Sequence, residues 1–177
     1  MDVFEAIANR RSMRTYTDAP VSRQKLMQVL EAARLAPSWK NDQGWRFLVL
    51  DNRADILALG QALGQNPNQA VYETVPYCII VCAQPQDSGI HEGKEYYLVD
   101  CAIAMEHMVL AAEELGLATC WVGLFEEAPV RRAFDIPEEV KIVGVLPLGV
   151  AGKVCKPRPR KAMEEIAFLH RWGETFK

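Results

Sequence analysis

The sequence has no histidine cluster, no Cys-x-x-Cys pair, no glycine-rich nucleotide motif and no long uncharged apolar run. Each gap removes a class of function. His91, His107 and His170 are scattered, and the five cysteines, Cys78, Cys82, Cys101, Cys120 and Cys155, are odd in number and irregular in spacing. Neither pattern suits zinc or an iron–sulfur cluster, so no metal site is expected and the cysteines read as buried, reduced thiols. Cys78 and Cys82 lie in one apolar run and fall on the same side of a strand. No Gly-x-Gly-x-x-Gly occurs, and the stretch ending Gly152-Lys153-Val154 fails as a phosphate loop, with Pro147 in place of its first glycine and Val154 in place of its Ser/Thr. No Gly-x-Ser-x-Gly is present and no cysteine and histidine are paired by position, so no protein nucleophile is evident. The most apolar long stretch, Tyr96 to Leu117, is interrupted by Asp100, Glu106, His107, Glu113 and Glu114, too many charges for a membrane span. Met1-Asp2-Val3-Phe4-Glu5 does not read as a signal peptide, and a cytoplasmic location is expected.

Excess charge is also lacking. The net charge is −3 and the pI about 5.7, which argues against a nucleic-acid or membrane-surface partner. The 177 residues are 50% hydrophobic, enough for one domain, 1–177, with a core of its own; repeats and linkers are absent. Against this acidic background the basic residues gather in two places, Arg10 to Arg14 and Lys153 to Lys161, which suggests one small anionic ligand. Arg10-Arg11-Ser12-Met13-Arg14 puts three guanidinium groups and a hydroxyl within five residues. Guanidinium matches phosphate in shape and charge. The same residues also suit a basic turn at a helix C-terminus. In the second cluster the prolines of Lys156-Pro157-Arg158-Pro159-Arg160-Lys161 favour an extended chain, and the acidic body disfavours a nucleic-acid patch.

Asp2 caps a predicted helix through about Asn9, with Val3, Phe4 and Ile7 on its inner face. Ser22 caps a second, where Leu26, Val29, Leu30 and Ala33 recur at helical spacing before Pro37. Strands are expected at Arg46–Leu50, Tyr77–Ala83, Thr119–Val122 and Val140–Val150, the last with an edge or bulge at Pro147. Residues 53–64 read as helical, broken by Gly64 and Pro67. Gln84–Gly93 is a polar loop, Pro129 opens a helix ending near Phe134, and one helical turn follows Met163. The longest predicted helix runs from Glu95 to Leu115 and stops at Gly116. Leu98, Val99, Ala102, Ile103, Met105, Met108, Val109 and Leu110 make it apolar nearly all round, which implies burial and, in a chain this small, a subunit interface. Strict βαβ alternation is missing, so the expected class is α+β.

Four segments line up in order: Arg10–Arg14; Ala36-Pro37-Ser38-Trp39-Lys40-Asn41-Asp42-Gln43-Gly44-Trp45-Arg46-Phe47; Gly116-Leu117-Ala118-Thr119-Cys120-Trp121-Val122-Gly123; and Pro147-Leu148-Gly149 followed by Lys156–Lys161 and Glu164-Glu165. Together they resemble the nitroreductase family of FMN-dependent oxidoreductases, over almost the whole chain. The resemblance implies a mostly antiparallel sheet flanked by helices, a homodimer with a long buried helix at its interface, and FMN held in clefts between the subunits. It also implies that Arg10, Arg11, Ser12 and Arg14 contact the phosphate and ribityl end from one side and Arg158 and Arg160 from the other, with Lys156 a third choice for the latter. Pro37-Ser38-Trp39 resembles the stretch that packs over the partner's flavin, and Asn41 and Gln43 the polar positions after it. Gly44 stands where the family has proline, and loosens that turn. Trp121, Val122 and Gly123 match the turn that brings backbone N–H groups to flavin N5 and O4. The implied reaction is a ping-pong transfer of hydride from NAD(P)H through flavin N5 to a nitroaromatic, a quinone or a related acceptor, with arginine charge stabilising the reduced ring and no catalytic side chain. Reductive dehalogenation, dehydrogenation, flavin fragmentation or a non-catalytic FMN-binding role remain alternatives. Gln61–Glu73 and Gln84–Gly93 are expected to shape the pocket.

Overall fold

The structure is a computed structural model that describes residues 1–64 and 69–176; the expected break at Pro67 lies outside them. The elements follow in the order α1 (Val3–Asn9), α2 (Arg23–Arg34), β1 (Trp45–Leu50), α3 (Arg53–Ala62), α4 (Val71–Thr74), β2 (Tyr77–Ala83), β3 (Ile90–His91), β4 (Lys94–Glu95), α5 (Tyr96–Glu114), β5 (Ala118–Thr119), α6 (Glu127–Ala133), β6 (Lys141–Gly149) and α7 (Met163–Ile166). The order and the antiparallel pairing β1-β2-β6-β5 make an α+β fold with a sheet between helical layers.

β2 explains the layering. Its side chains alternate sides, as any strand's do. Cys78, Ile80 and Cys82 enter a cluster with Ile56 and Leu59 of α3, Val71 and Tyr72 of α4, and Val130 of α6. Ile79, Val81 and Ala83 enter a second cluster with Leu26, Val29 and Ala33 of α2 and with Cys101, Ala104, Met105, Met108 and Ala112 of α5. Both faces are covered, so the strand reads as a continuous apolar run rather than an alternating one. Each fully buried Leu, Ile or Met adds about 1.5–3 kcal/mol.

Helix ends follow local chemistry. Asp2 and Glu5 form a capping box at α1, and Ser22 Oγ accepts from the Lys25 N–H at α2. α5 ends in a Schellman motif: Leu117 N–H donates to Ala112 O, Gly116 N–H donates to Glu113 O, and Gly116 takes φ +68°.

Five expectations change. Val3, Phe4 and Ile7 are exposed, Phe4 at 78%, and only Ala6 of α1 is buried. α5 is not covered all round: Leu98 and Val99 are about half exposed. Periodicity gives the apolar positions but not how many neighbours one chain has to cover them. Pro147 lies in an inner strand, and the bulge falls elsewhere, at Val81/Cys82. N–H directions alternate along a strand. Val145 N–H points to Val122, so that of residue 147 would point to Cys120, where the β5 ladder is interrupted between Thr119 and Val122; the missing donor costs nothing there. Gln84–Gly93 contains a 3₁₀ turn, Pro85–Asp87, and the first strand of the β3–β4 hairpin. Pro129 sits inside α6, which begins at Glu127. Among the described residues no helix is long and apolar enough to cross a membrane.

Candidate functional site

The arginine segment leaves α1 as an extended chain. Arg11 Nη1 donates to the carbonyls of Ala8, at 2.6 Å, and Arg10, at 2.7 Å. One arginine therefore does serve the helix end, as the plainer reading of the motif supposed. Met13 turns inward and is buried, and its N–H donates to Thr119 O at 2.9 Å. Tyr16, also buried, donates from its hydroxyl to Met13 O at 3.1 Å, and burial pushes its pKa up. With Met13 inward, its neighbours Ser12 and Arg14 face the opposite side, as strand alternation requires.

A second set of bonds brings the late basic segment to the same place. Thr17 N–H donates to Val150 O, Gly152 N–H to Thr15 O, and Lys153 N–H to Thr15 Oγ1, all within 2.9–3.0 Å. Residues some 140 apart in sequence are thus zipped together. Beyond the zip, Arg10, Arg11, Ser12, Arg14, Cys155, Lys156, Arg158 and Arg160 line one cavity of about 220 Å³. Six of these eight are cationic and none is acidic. The Arg10 Nε is buried without a hydrogen-bond partner; the nearest carboxylate oxygen, Glu106 Oε1, is 3.6 Å away, too far for a hydrogen bond. Arg10 is ion-paired with Glu106, which lies outside the lining, and the concentrated positive charge around a small cavity suits a phosphate. Burial raises the pKa of the neighbouring Cys120 thiol, opposed by the charge of Arg14. Cys155, expected from the sequence to be a buried thiol, is half-exposed in this lining, because the extended basic segment that carries it lies at the surface.

The other expected site residues lie outside that lining. Val122 is buried and exchanges two 2.9 Å backbone bonds with Val145. Its N–H is therefore already donated, whereas Gly123 is exposed; Trp121 is 40% exposed. Pro37, Asn41 and Gln43 are exposed, and Ser38 and Trp39 half-buried. Their loop is unusual: Lys40, Asn41 and Gln43 have φ of +46°, +64° and +54°, each in the left-handed region that costs a non-glycine residue about 1–3 kcal/mol. Ser38 Oγ accepts from Gln43 N–H at 3.0 Å, and the Lys40 ammonium lies 5.7 Å from the centre of the Trp39 ring. Gly44 does not loosen the turn. It is buried, its carbonyl accepts from Gln84 N–H at 2.9 Å, and a Cβ there would come within 3.0 Å of Asp87 O. The loop 84–89 packs behind Trp39, and of Gln61–Glu73 residues 65–68 lie outside the described structure. Among the described residues no group of three or more His, Cys, Asp or Glu side chains is placed to hold a metal.

Comparison with known proteins agrees with this architecture. Residues 7–77 and 58–150 match the Nitroreductase family. A Methanothermobacter thermautotrophicus protein carrying the name NADH dehydrogenase/NAD(P)H nitroreductase is 36% identical over 153 residues, covering 84% of this chain and 77% of that protein. The FMN reductase [NAD(P)H] of Bacillus subtilis is 26% identical over 182 residues, covering 93% and 72%. Among solved structures, a nitroreductase family protein from Clostridium novyi NT superposes with a TM-score of 0.80 at 36% identity, covering 99% of this chain and 97% of the other. A chain with this sheet, this basic cleft and these relatives belongs to the nitroreductase family, a family of oxidoreductases.

Proposed function

We propose that the protein is a homodimeric, FMN-dependent NAD(P)H oxidoreductase that reduces a nitroaromatic, a quinone or a related small acceptor in a ping-pong cycle. The carrying observation is the cavity ringed by six cationic side chains and no carboxylate. At about 220 Å³ it is smaller than the roughly 300–1,000 Å³ of a whole-ligand site. It fits the phosphate and part of the ribityl chain, and leaves the ring to lie beyond its mouth.

In this reading Arg10, Arg14, Arg158 and Arg160, with Lys156 beside them, hold the phosphate, and the Ser12 hydroxyl bonds the ribityl end. Arg11 adds charge while its Nη1 stays on the helix carbonyls. Gly123 lets the backbone come close to the ring edge. Bound FMN supplies a ring that accepts hydride at N5 and passes electrons on. The chain supplies charge, orientation and a dry surface, and no side chain acts as nucleophile. The cover over the ring comes from the second subunit, through Pro37, Ser38, Trp39, Asn41 and Gln43.

The apolar surface of the single chain supports the dimer. Val3, Phe4 and Ile7 of α1, Leu98 and Val99 of α5, and Trp172, 92% exposed, beyond α7 are all presented to solvent. A protein active as a monomer rarely exposes so much. Purified protein is expected to be yellow and to bleach anaerobically with NADH or NADPH. Colourless protein that takes up no added FMN overturns the assignment.

A further inference from the structure

The chemistry-bearing group that the preceding reading does not use is Asp100. It stands on α5 among Tyr97, Cys101 and Ala104, and it is 2% exposed. A carboxylate so placed is costly unless its oxygens are hydrogen-bonded. Both are: Oδ1 accepts from the Trp39 backbone N–H at 2.8 Å, and Oδ2 from the Ser88 hydroxyl at 2.9 Å. One buried side chain therefore ties two loops, 38–43 and 84–89, to the long helix.

The loop it ties is the strained one. Three left-handed non-glycine residues within four positions persist only if their surroundings over-determine them. The Trp39 ring is wedged accordingly. It meets Tyr96 with ring centroids 4.1 Å apart and, on another side, Gly89, where a Cβ would lie 2.5 Å from the indole. Tyr96 N–H donates to Gly89 O, which fixes the wedge to the start of α5. With Trp39 pinned at its amide and its ring, Asn41 and Gln43 are left exposed at the surface.

We propose that Asp100 is a positioning residue: through Trp39 and Ser88 it holds the 38–43 loop in the conformation that covers the flavin ring. This rests on the proposal that the loop of one subunit covers the FMN of the other. A merely structural residue would be replaceable by an apolar one of similar size, since every other buried residue of α5 except Asp100 is apolar or aromatic. The polar cluster exists because what it binds is a backbone N–H and a hydroxyl on two separate loops.

The test uses the purified full chain with FMN added, and compares Asp100→Leu, Asp100→Asn and Ser88→Ala with the parent. The first readout is amide exchange by mass spectrometry. In Asp100→Leu, exchange over 38–43 should rise about tenfold, as expected for loss of a charge-assisted hydrogen bond, while β2 stays protected. Ser88→Ala, which leaves the Trp39 bond intact, should show a smaller rise. Asp100→Asn, which keeps an acceptor for Trp39 N–H, should restore most of the protection. The second readout is FMN affinity by flavin fluorescence, which should weaken about tenfold in Asp100→Leu and be largely rescued in Asp100→Asn. Should Asp100→Leu not fold, Ser88→Ala and Asp100→Asn decide by the same measurements. Unchanged exchange over 38–43 in every folded variant overturns the latch. Increased exchange with unchanged FMN affinity overturns its role toward the flavin. A parent protein that takes up no FMN overturns the flavin reading, and with it that role, while the exchange data still decide whether Asp100 holds the loop.

Discussion

In the cleft at Arg10–Arg14, exposed and half-exposed cations stand on backbone that is itself unstrained, tied to Thr119 through Met13 and to residues 150–153 through the adjoining Thr15 and Thr17. In the loop at Ser38–Gln43, the order is reversed. The backbone is strained, and a buried carboxylate, a wedged indole and a close glycine hold it. The cleft is built for charge, which acts over several ångströms and tolerates side-chain motion. The loop is built for shape, which does not. Losing a cation from the cleft should therefore cost ligand and little stability, and loosening the loop should cost both.

The largest effect is expected in the cleft. Replacing both Arg10 and Arg14 by alanine should weaken FMN binding by roughly a hundredfold or more, at about tenfold for each lost charge-assisted contact. The thermal midpoint of the apo-protein should barely move. Flavin fluorescence titration and a melting curve check the two halves, and unchanged FMN affinity would put the phosphate elsewhere and break the comparison.

Next come two glycines. Gly89→Ala forces a methyl to within 2.5 Å of the Trp39 ring, and should cost about 1–3 kcal/mol in denaturant unfolding. Gly123→Ala meets only the Trp121 ring, at 3.5 Å from Nε1 and 3.8 Å from Cδ1. It should leave stability nearly unchanged and weaken FMN binding if the ring packs there. Equal stability losses in both would erase the distinction between a wedge and a contact surface.

A smaller effect concerns assembly. Val99→Glu places a charge on the open side of α5, where Val99 is 46% exposed. It should raise the dimer dissociation constant in sedimentation equilibrium with only a slight loss of monomer stability. A dimer as tight as the parent would remove α5 from the interface.

The smallest effect near neutral pH concerns two buried thiols, Cys101 beside Asp100 and its neighbour Cys82, and the half-exposed thiol of the cleft. Burial, with the neighbouring Asp100 charge second, pushes Cys101 up to about 12, and burial pushes Cys82 up to about 11. Both values lie above those of the unfolded chain, near 8.5, so the folded state keeps protons that the unfolded state releases. Their contribution to stability is complete below about pH 8.5 and is lost as pH rises through 11 and 12, with a limiting slope of about 1.4 kcal/mol per pH unit for each thiol. Cys101→Ala should flatten the alkaline limb by one proton. Under mild alkylation the half-exposed Cys155 of the cleft should react first and be slowed by FMN, with Cys101 following only when the loop opens. Early labelling of Cys101 would show that the loop is looser than its bonds imply.

Much of this was readable from residues. Ser22 and the Leu26, Val29, Ala33 spacing mark α2 because capping and the 3.6-residue period are local. β2 was read to its ends, Tyr77 and Ala83, because an apolar run between Pro76 and a polar loop has few other solutions. From the sequence Asp100 is legible only as a charge that keeps α5 out of a membrane, since nothing local says that its partners are Trp39, 61 residues away, and Ser88. The rigidity of the Gly44 turn is hidden from the sequence for the same reason: it comes from the 84–87 backbone packed against it.

By itself the sequence determined most of the helices, though not α4, the inner strands, the two basic clusters and their likeness to one family. These depend on spacing, capping and charge within a few residues. The tertiary structure decided which apolar faces stay open, which arginine serves its own helix, that residues 10–14 and 155–160 surround one cavity, and that a buried carboxylate holds a strained loop. Those follow from contacts between segments far apart in the chain, set by how α5 and the sheet pack rather than by any local preference.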